Sequence, residues 1–509
     1  MKNIWVTSLA LLFVSSLFSQ SNIELRLQSS IDSIYQAHPE AIGIMVHVEA
    51  PEKEISWSGA SGYSDKKLKT KLEANQPALI ASSIKTYVSV TILRLIEDGK
   101  ITLEQPVETL LSNKTKNIFT KDGYDLTEIQ IKHLLSHTSG IEDYANQDYI
   151  EYKDKYPMYR WTRDEQLALT VKVGDPLGRP GELFSYADAN YLLLTEIIEH
   201  VTNLTFYEAM RTLLKYDGLG INNTWFPTLE KAPNSSNELV HQYWGEKDWD
   251  SYGMDVSWDL YGGGGIACPT KDLALFIHHF FNGNIVKNDS VKNLIFTYIP
   301  TKETAQYPYY LGLSEDTYHG MKAYGHGGFW GTVMMHFPSI NTSISVYVLD
   351  RDARGIRRNV LDKVSKIIFD AYSERLSSYA SEEEKSEMEQ ITETLLNYIE
   401  GTANGEPDRL RKAFHSDFNL YTVTTGDSLR VHSGKKYISN VKEGEATNRI
   451  GRIISIDYEK DAAIAKAEIV IPNWRIFTDY FLLLKYEGYW KIVHKSYTWR
   501  EHSQSEERK

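Results

Sequence analysis

The chain has 509 residues, a length that suggests about three domains, although a large α/β enzyme can fill roughly 300 residues or more as one unit. A hydrophobic fraction of 42% with 12% aromatic residues excludes a largely disordered chain, which could not bury enough apolar surface to offset its ordering entropy. The net charge of -13 excludes a nucleic-acid partner, because binding to a phosphate backbone needs clustered Lys and Arg.

The first segment, MKNIWVTSLALLFVSSLFSQSN, has one lysine, an apolar run from Ile4 to Phe18 and then small polar residues. That layout predicts a signal peptide over residues 1–21, too short to span a membrane comfortably, and hence a periplasmic or secreted protein. The single cysteine, Cys268, lies far from this region, which excludes a lipid anchor through an N-terminal cysteine, and no other stretch reaches transmembrane length. One cysteine cannot form an internal disulfide; between YGGGGIA and Pro269 it reads as a small buried core residue rather than a reactive thiol.

An amphipathic helix is expected from Ile23 to about Tyr35, followed by adjoining strands at Ile42–Ala50 and ISWSGASGYS around the turn Pro51-Glu52-Lys53. Next comes IASSIKTYVSV, in which only Ser82 stands three residues before Lys85. On a helix that spacing puts the two side chains on one face, close enough for an amine to take a hydroxyl proton. Ser64 with Lys67, Ser433 with Lys436 and Ser439 with Lys442 share the spacing, so spacing alone does not decide. Behind Ser82, however, Ile84, Tyr87, Val88, Thr91, Ile92, Leu95 and Ile96 recur at helical intervals up to a stop at Glu97-Asp98-Gly99. Ser82 would then open a buried helix, where the helix dipole and free N–H groups favour an oxyanion. The alternative is a plain helix cap with Lys85 in solvent.

Helices dominate the middle of the chain. His133 and His137 have a metal-ligand spacing but lack the Glu of an H-E-x-x-H zinc site, so no metal and no other cofactor is expected. Tyr186 falls in a short loop within PGELFSYADANYLLLTEIIEH, ahead of a helix beginning near Asn190. In YGHGGFWGT, His326 precedes Gly327 and Gly328 on an expected strand, and paired glycines there suggest close approach of a ligand or another backbone. A strand, hairpin and strand through AYGHGGFWGTVMMHFPSINTSISVYVLD lead to a closing helix in NVLDKVSKIIFDAYSERL. Terminal helices on a sheet built from both ends of this region would enclose the helical middle. The acidic run SYASEEEKSEMEQ reads as a linker, giving domains at 22–378 and 379–509, the second a small α+β unit with a curved antiparallel sheet.

Ser82-Ser83-Ile84-Lys85, Tyr186-Ala187-Asp188 and His326-Gly327-Gly328, in that order, resemble the S-x-x-K, Y-x-N and K-T-G or H-x-G elements of the serine beta-lactamase-related family, which includes class C beta-lactamases, D-Ala-D-Ala carboxypeptidases, D-aminopeptidases and esterases. LLSHTSGI, PGELFSY and YGGGGIACPTKDLALF add to the likeness, which covers roughly Ile23 to Ser377. It implies an α/β (α+β) fold of an antiparallel sheet flanked by helices with a helical subdomain. Ser82 would attack a carbonyl and form an acyl-enzyme, with base work shared by Lys85 and Tyr186. His326 would polarise Tyr186, the amides of Ser82 and Phe329 would form an oxyanion hole, and Phe329 and Trp330 would offer an apolar wall or pack. Asp188 departs from the family's asparagine, and with Gly327, Gly328 and Phe329 it is expected to face a small-molecule or peptide substrate.

The segment from about Glu384 resembles the nuclear transport factor 2-like superfamily, in particular its lumazine-binding subgroup, through NYIEGTANGEPDRLRKAFHSD and FTDYFLLLKYEGYWKIVHKSY. Trp474, Tyr480, Trp490 and Trp499 are expected either to line a cone-shaped pocket or to form core, and ligand capture or a homodimer through this domain both stay open. The reading is an exported serine hydrolase; its rival is a catalytically weak, penicillin-binding-like sensor or scaffold.

Overall fold

The computed structural model describes residues 22–302, 307–379, 382–424, 426–472 and 474–501, so the expected signal peptide lies outside the described residues. It divides into two compact units between Tyr372 and Ser373, within the helix Ile356–Tyr379.

In the first unit the strands Gly43–Ala50 and Ile55–Asp65 join Ser314–Tyr318, Met321–Gly327, Thr332–Phe337 and Thr342–Val348 in one antiparallel sheet, completed at one edge by Thr70–Lys71. The first and last of its long strands are neighbours, with Val46 opposite Val346, so the two ends of the unit meet at mid-sheet. Both of these strands are buried along their whole length, which requires cover on each face. One face is covered by the helix at 22–37 and the helix Ile356–Tyr379, where Leu27, Ile31, Ile34, Val360, Val364 and Ile368 pack on Ile44, Val46, Ile344 and Val346. On the other face the helix Thr270–Phe281 begins a larger core that includes the expected helical middle. Burial of each such aliphatic side chain contributes about 1.5–3 kcal/mol.

The segment carrying Ser82 sits inside that larger core. Ala78–Leu79 pairs with Ala267–Cys268, and Ile80 N–H donates to Ile266 O, so the approach to Ser82 is fastened to the end of the glycine-rich run. A 3-10 turn at Ala81–Ser83 then runs into the helix Ile84–Glu97, which stops where Gly99 takes a φ of 66°. Cys268 is fully buried against the Tyr347 hydroxyl.

The second unit has the helices Glu382–Asn404 and Pro407–Ala413 and a six-stranded sheet. The sheet is antiparallel except for one pair, Phe414–Val423 beside Tyr489–Glu501, which run parallel. The four aromatics expected to share a fate do not: Trp490 is core and donates to Glu387, Trp499 lies under the Arg475 guanidinium, and Trp474 and Tyr480 are about half exposed. The polar centre of this core is instead Tyr398, Asp479 and Lys495, with Lys495 Nζ 2.8 Å from Asp479 Oδ2 and Tyr398 donating to the same oxygen.

Candidate active site

Ala81, just before Ser82, is held at a φ of 45°, a conformation that non-glycine residues adopt at a cost, so the turn presenting Ser82 is strained. The two adjacent serines separate by role. Ser83 is fully buried and donates to His326 O, tying the helix start to the His326 strand. Ser82 is partly exposed, and its Oγ accepts from Lys85 Nζ at 3.2 Å.

Lys85 is fully buried, with its Nζ 2.6 Å from Asp188 Oδ1 and 3.4 Å from Gly263 O. Tyr186 stands beside both Lys85 and Ser82 and interacts electrostatically with each, with Lys85 Nζ 5.0 Å from its ring centroid. Burial opposes the lysine's charge, but the Asp188 carboxylate outweighs it and holds the amine protonated well above its ordinary range. The Tyr186 phenol is pushed up by burial; the Lys85 cation pulls it down, and Asp188 pushes it up again. Asp188 opens the helix Asp188–Thr202, two residues earlier than the sequence suggests, and its amide donates to Asp143 Oδ1.

Two carboxyls that no local motif marks complete this cluster. Asp143 and Asp259 are both pushed up, by burial first and by the Asp188 charge second, so three acids surround one lysine. The glycine run explains how the chain fits around them: a Cβ on Gly264 would lie 1.9 Å from Asp259 Oδ2, and one on Gly263 would lie 2.9 Å from Asp259 Oδ1.

His326 is brought to the site, but both ring nitrogens face partners other than Tyr186. Nδ1 lies 2.7 Å from Gly327 O and must donate to it, which leaves Nε2 to accept from the Tyr309 hydroxyl at 3.1 Å. Burial and the Lys85 charge lower its pKa to about 4, so the ring is neutral. The expected polarisation of Tyr186 by His326 is therefore corrected to ring packing, centroids 6.4 Å apart, with the hydrogen bond going to Tyr309. The sequence around Tyr309 has no periodicity, so nothing in its own segment distinguishes it. His137 packs at 4.1 Å on Tyr186 and accepts from the Ala187 amide, while His133 caps its own helix through the Gln130 amide. Both histidines thus serve the scaffold.

The turn after the strand Met321–Gly327 is closed by Gly328 N–H to Thr332 O and Gly331 N–H to Gly328 O, bonds that do not use the Phe329 amide. A Cβ on Gly328 would sit 2.2 Å from Ile80 O, so only glycine lets this strand lie against the turn that carries Ser82. Behind the turn, Arg357 donates through Nη1 to both Gly328 O and Thr332 O. Phe329 rests among Trp244, Trp249, Trp258 and Trp330, with ring centroids 5.1–6.1 Å away, and Arg351 lies over its face. Trp330 is buried in this cluster and packs.

A hydroxyl at a helix start, a buried lysine one turn on and a tyrosine beside both form the polar centre of this site. The family model described as "Beta-lactamase" matches residues 31–362, and the chain belongs to that family of serine hydrolases. A second model, "Putative lumazine-binding", matches residues 386–498. "Protein flp" of Staphylococcus aureus (strain COL) is 30% identical over 183 residues, 36% of this chain and 32% of that protein. The "Putative penicillin-binding protein PbpX" of Bacillus subtilis (strain 168) is 25% identical over 242 residues, 47% of this chain and 56% of that protein. The chain thus spans about a third and about half, respectively, of these relatives' lengths. Among solved structures, the D-amino acid amidase of Ochrobactrum anthropi SV3, complexed with L-phenylalanine amide, superposes with a TM-score of 0.58 at 19% identity, covering 69% of this chain and 99% of that one; it shares the fold.

Proposed function

We propose that the protein is an exported serine hydrolase that forms an acyl-enzyme on Ser82 with small esters, uncharged amides or amine-bearing D-amino acid derivatives. The observation that carries this reading is the 3.2 Å contact between Lys85 Nζ and Ser82 Oγ, with the Tyr186 phenol beside them. In the minor form in which Tyr186 has first lost its proton to solvent, Ser82 Oγ attacks the substrate carbonyl and its proton passes to the Tyr186 phenolate. The Lys85 cation lowers the cost of the phenolate, and the amides of Ser82 and Phe329 stabilise the oxyanion. Tyr186 then protonates the leaving group, and water hydrolyses the ester on Ser82.

The acids around Lys85 support the substrate class. Asp188 accepts hydrogen bonds where the family's asparagine donates, and it repels a substrate carboxylate. A free amine or a neutral group is favoured in its place, consistent with the amide named for the Ochrobactrum structure. Incubating the purified protein with a fluorophosphonate should add one phosphonyl mass, absent in Ser82→Ala. No Ser82-dependent adduct sinks the proposal.

One observation favours the rival reading of a sensor or scaffold: Asp188 offsets the help that Lys85 gives Tyr186, which slows acylation. Labelling over hours, with no turnover of esters or D-amino acid amides, would select it.

A further inference from the structure

We propose a second ligand site, for a saccharide, in the aromatic pocket between the segment 144–161 and the helix Arg163–Val173. The cavity measures about 550 Å³, and Tyr149, Tyr152, Tyr159 and Trp161 form its apolar wall. It does not include Ser82 and does not rest on the serine chemistry.

The tyrosine hydroxyls are largely used elsewhere, so the rings themselves are on offer. Tyr149 donates to Trp258 O at 2.7 Å, and Tyr159 donates to Glu165 Oε1 at 2.5 Å. Tyr152 and Tyr159 stand edge to face at 88°, giving a floor and a wall at right angles, and they are 40% and 36% exposed. By contrast, the indole N–H of Trp161 is buried and has no hydrogen-bond partner among the described residues, though Trp161 lines the cavity and is only 6% exposed. A buried donor without an acceptor is a standing cost, and a small shift of the indole toward the cavity would let a ligand oxygen remove it. Asp148 and Lys172 add an acceptor and a donor to the same lining.

This mixture selects among ligand chemistries. An alkyl chain would satisfy the rings and leave the indole N–H and the charges unmet. An organic cation would suit the ring faces and Asp148, yet it brings no acceptor for Trp161. A sugar ring meets every demand: its C–H face lies on an aromatic ring, and its hydroxyls both donate to Asp148 and accept from Trp161 and Lys172. Exposed Tyr156 and Met158, beside Tyr152 and Tyr159, extend the surface beyond one ring, which favours a short oligosaccharide over a monosaccharide.

Saturation-transfer NMR on the full chain with cellotriose and chitotriose tests the site. Transfer to ring protons is expected from at least one sugar, weakened about fivefold or more in Tyr152→Ala and about threefold to tenfold in Trp161→Phe, which keeps a ring and deletes the N–H. Ester hydrolysis should be unchanged in Tyr152→Ala. If Trp161→Phe does not fold, Tyr152→Ala, altered at a half-exposed side chain, decides alone. No transfer from either sugar up to about 20 mM, or transfer equal in protein and Tyr152→Ala, overturns the proposal. Tetramethylammonium bound more tightly than either sugar, in a Tyr152-dependent manner, also overturns it by making this a cation site.

Discussion

The ammonium of Lys85 lies 2.6 Å from the carboxylate of Asp188, inside a site where Lys85 has no solvent exposure. A buried ion pair of this kind is coupled to everything that titrates nearby, because the low local dielectric weakens screening. Lys85 has three protons and finds acceptors in Ser82, Asp188 and Gly263, so its charged form is satisfied and it acts as a donor. Lys85 and Asp188 act on Tyr186 in opposite directions, the cation favouring its phenolate and the carboxylate opposing it.

Replacing Asp188 by asparagine removes the charge that opposes a Tyr186 phenolate and supplies an amide that can donate to a substrate carbonyl. Asp188→Asn should raise turnover of a chromogenic cephalosporin relative to a neutral ester by roughly tenfold to a hundredfold, from a difference of about 1–3 kcal/mol. Steady-state kinetics with both substrates checks this. An unchanged ratio would mean that Asp188 does not face the substrate.

Arg357 holds the other side of the site by donating to the Gly328 and Thr332 carbonyls. Burial first, then the Arg354 charge, lower its pKa to about 10, so it remains a cation behind the turn that carries the Phe329 amide. Arg357→Ala frees that turn and should lower kcat for ester hydrolysis by about tenfold or more with little change in KM, while Arg357→Lys recovers part of the loss. A raised KM with kcat unchanged in Arg357→Ala would instead indicate lost substrate binding.

What the sequence made legible is local. Ser82 and Lys85 lie within one helical turn, Gly327 and Gly328 are adjacent, and the apolar period after Ser82 marks the helix that aims it. Asp143, Asp259, Tyr309 and Arg357 come from separate segments, Asp259 from a 3-10 turn and Arg357 from the closing helix, and no periodicity relates them to Ser82; only the folded chain places them around it. Cross-strand geometry was likewise hidden in the second unit. Trp490 reaches the core and Tyr480 does not because their strands alternate faces in a register that the single chain does not reveal.

His326 gives a pH test with a defined sign. Burial first, with Lys85 second, lowers its pKa in the fold to about 4, below the ordinary value of 6.5. A depressed pKa means that the neutral ring is favoured by folding. The stabilisation is fully present above pH 6.5 and is lost as pH falls toward and through about 4. Its size is at most about 3 kcal/mol. In denaturant titrations, His326→Asn should lose stability less steeply than the unmodified protein between these pH values. Parallel curves would mean that His326 is not buried as a neutral base.

The paired glycines differ in what surrounds them, and this separates two substitutions that look alike in sequence. A Cβ on Gly328 would meet Ile80 O at 2.2 Å and Thr332 Oγ1 at 2.4 Å, the latter already donating to Ile80 O at 2.9 Å. Backbone cannot yield there without parting the strand from the Ser82 turn. A Cβ on Gly327 would have Arg357 Nη1 as its nearest neighbour, at 3.3 Å, the end of a long side chain that can shift. Gly328→Ala should therefore lose roughly 1–3 kcal/mol of stability, as overpacking does, and cut acylation by about a hundredfold through displacement of the Phe329 amide. Gly327→Ala should stay within about tenfold of the unmodified rate, its effect transmitted through Arg357. Stopped-flow acylation with a fluorogenic ester, alongside thermal unfolding of both variants, measures the contrast. If the two substitutions cost the same, the strand does not bear on the Ile80 carbonyl and the oxyanion turn is positioned by other contacts.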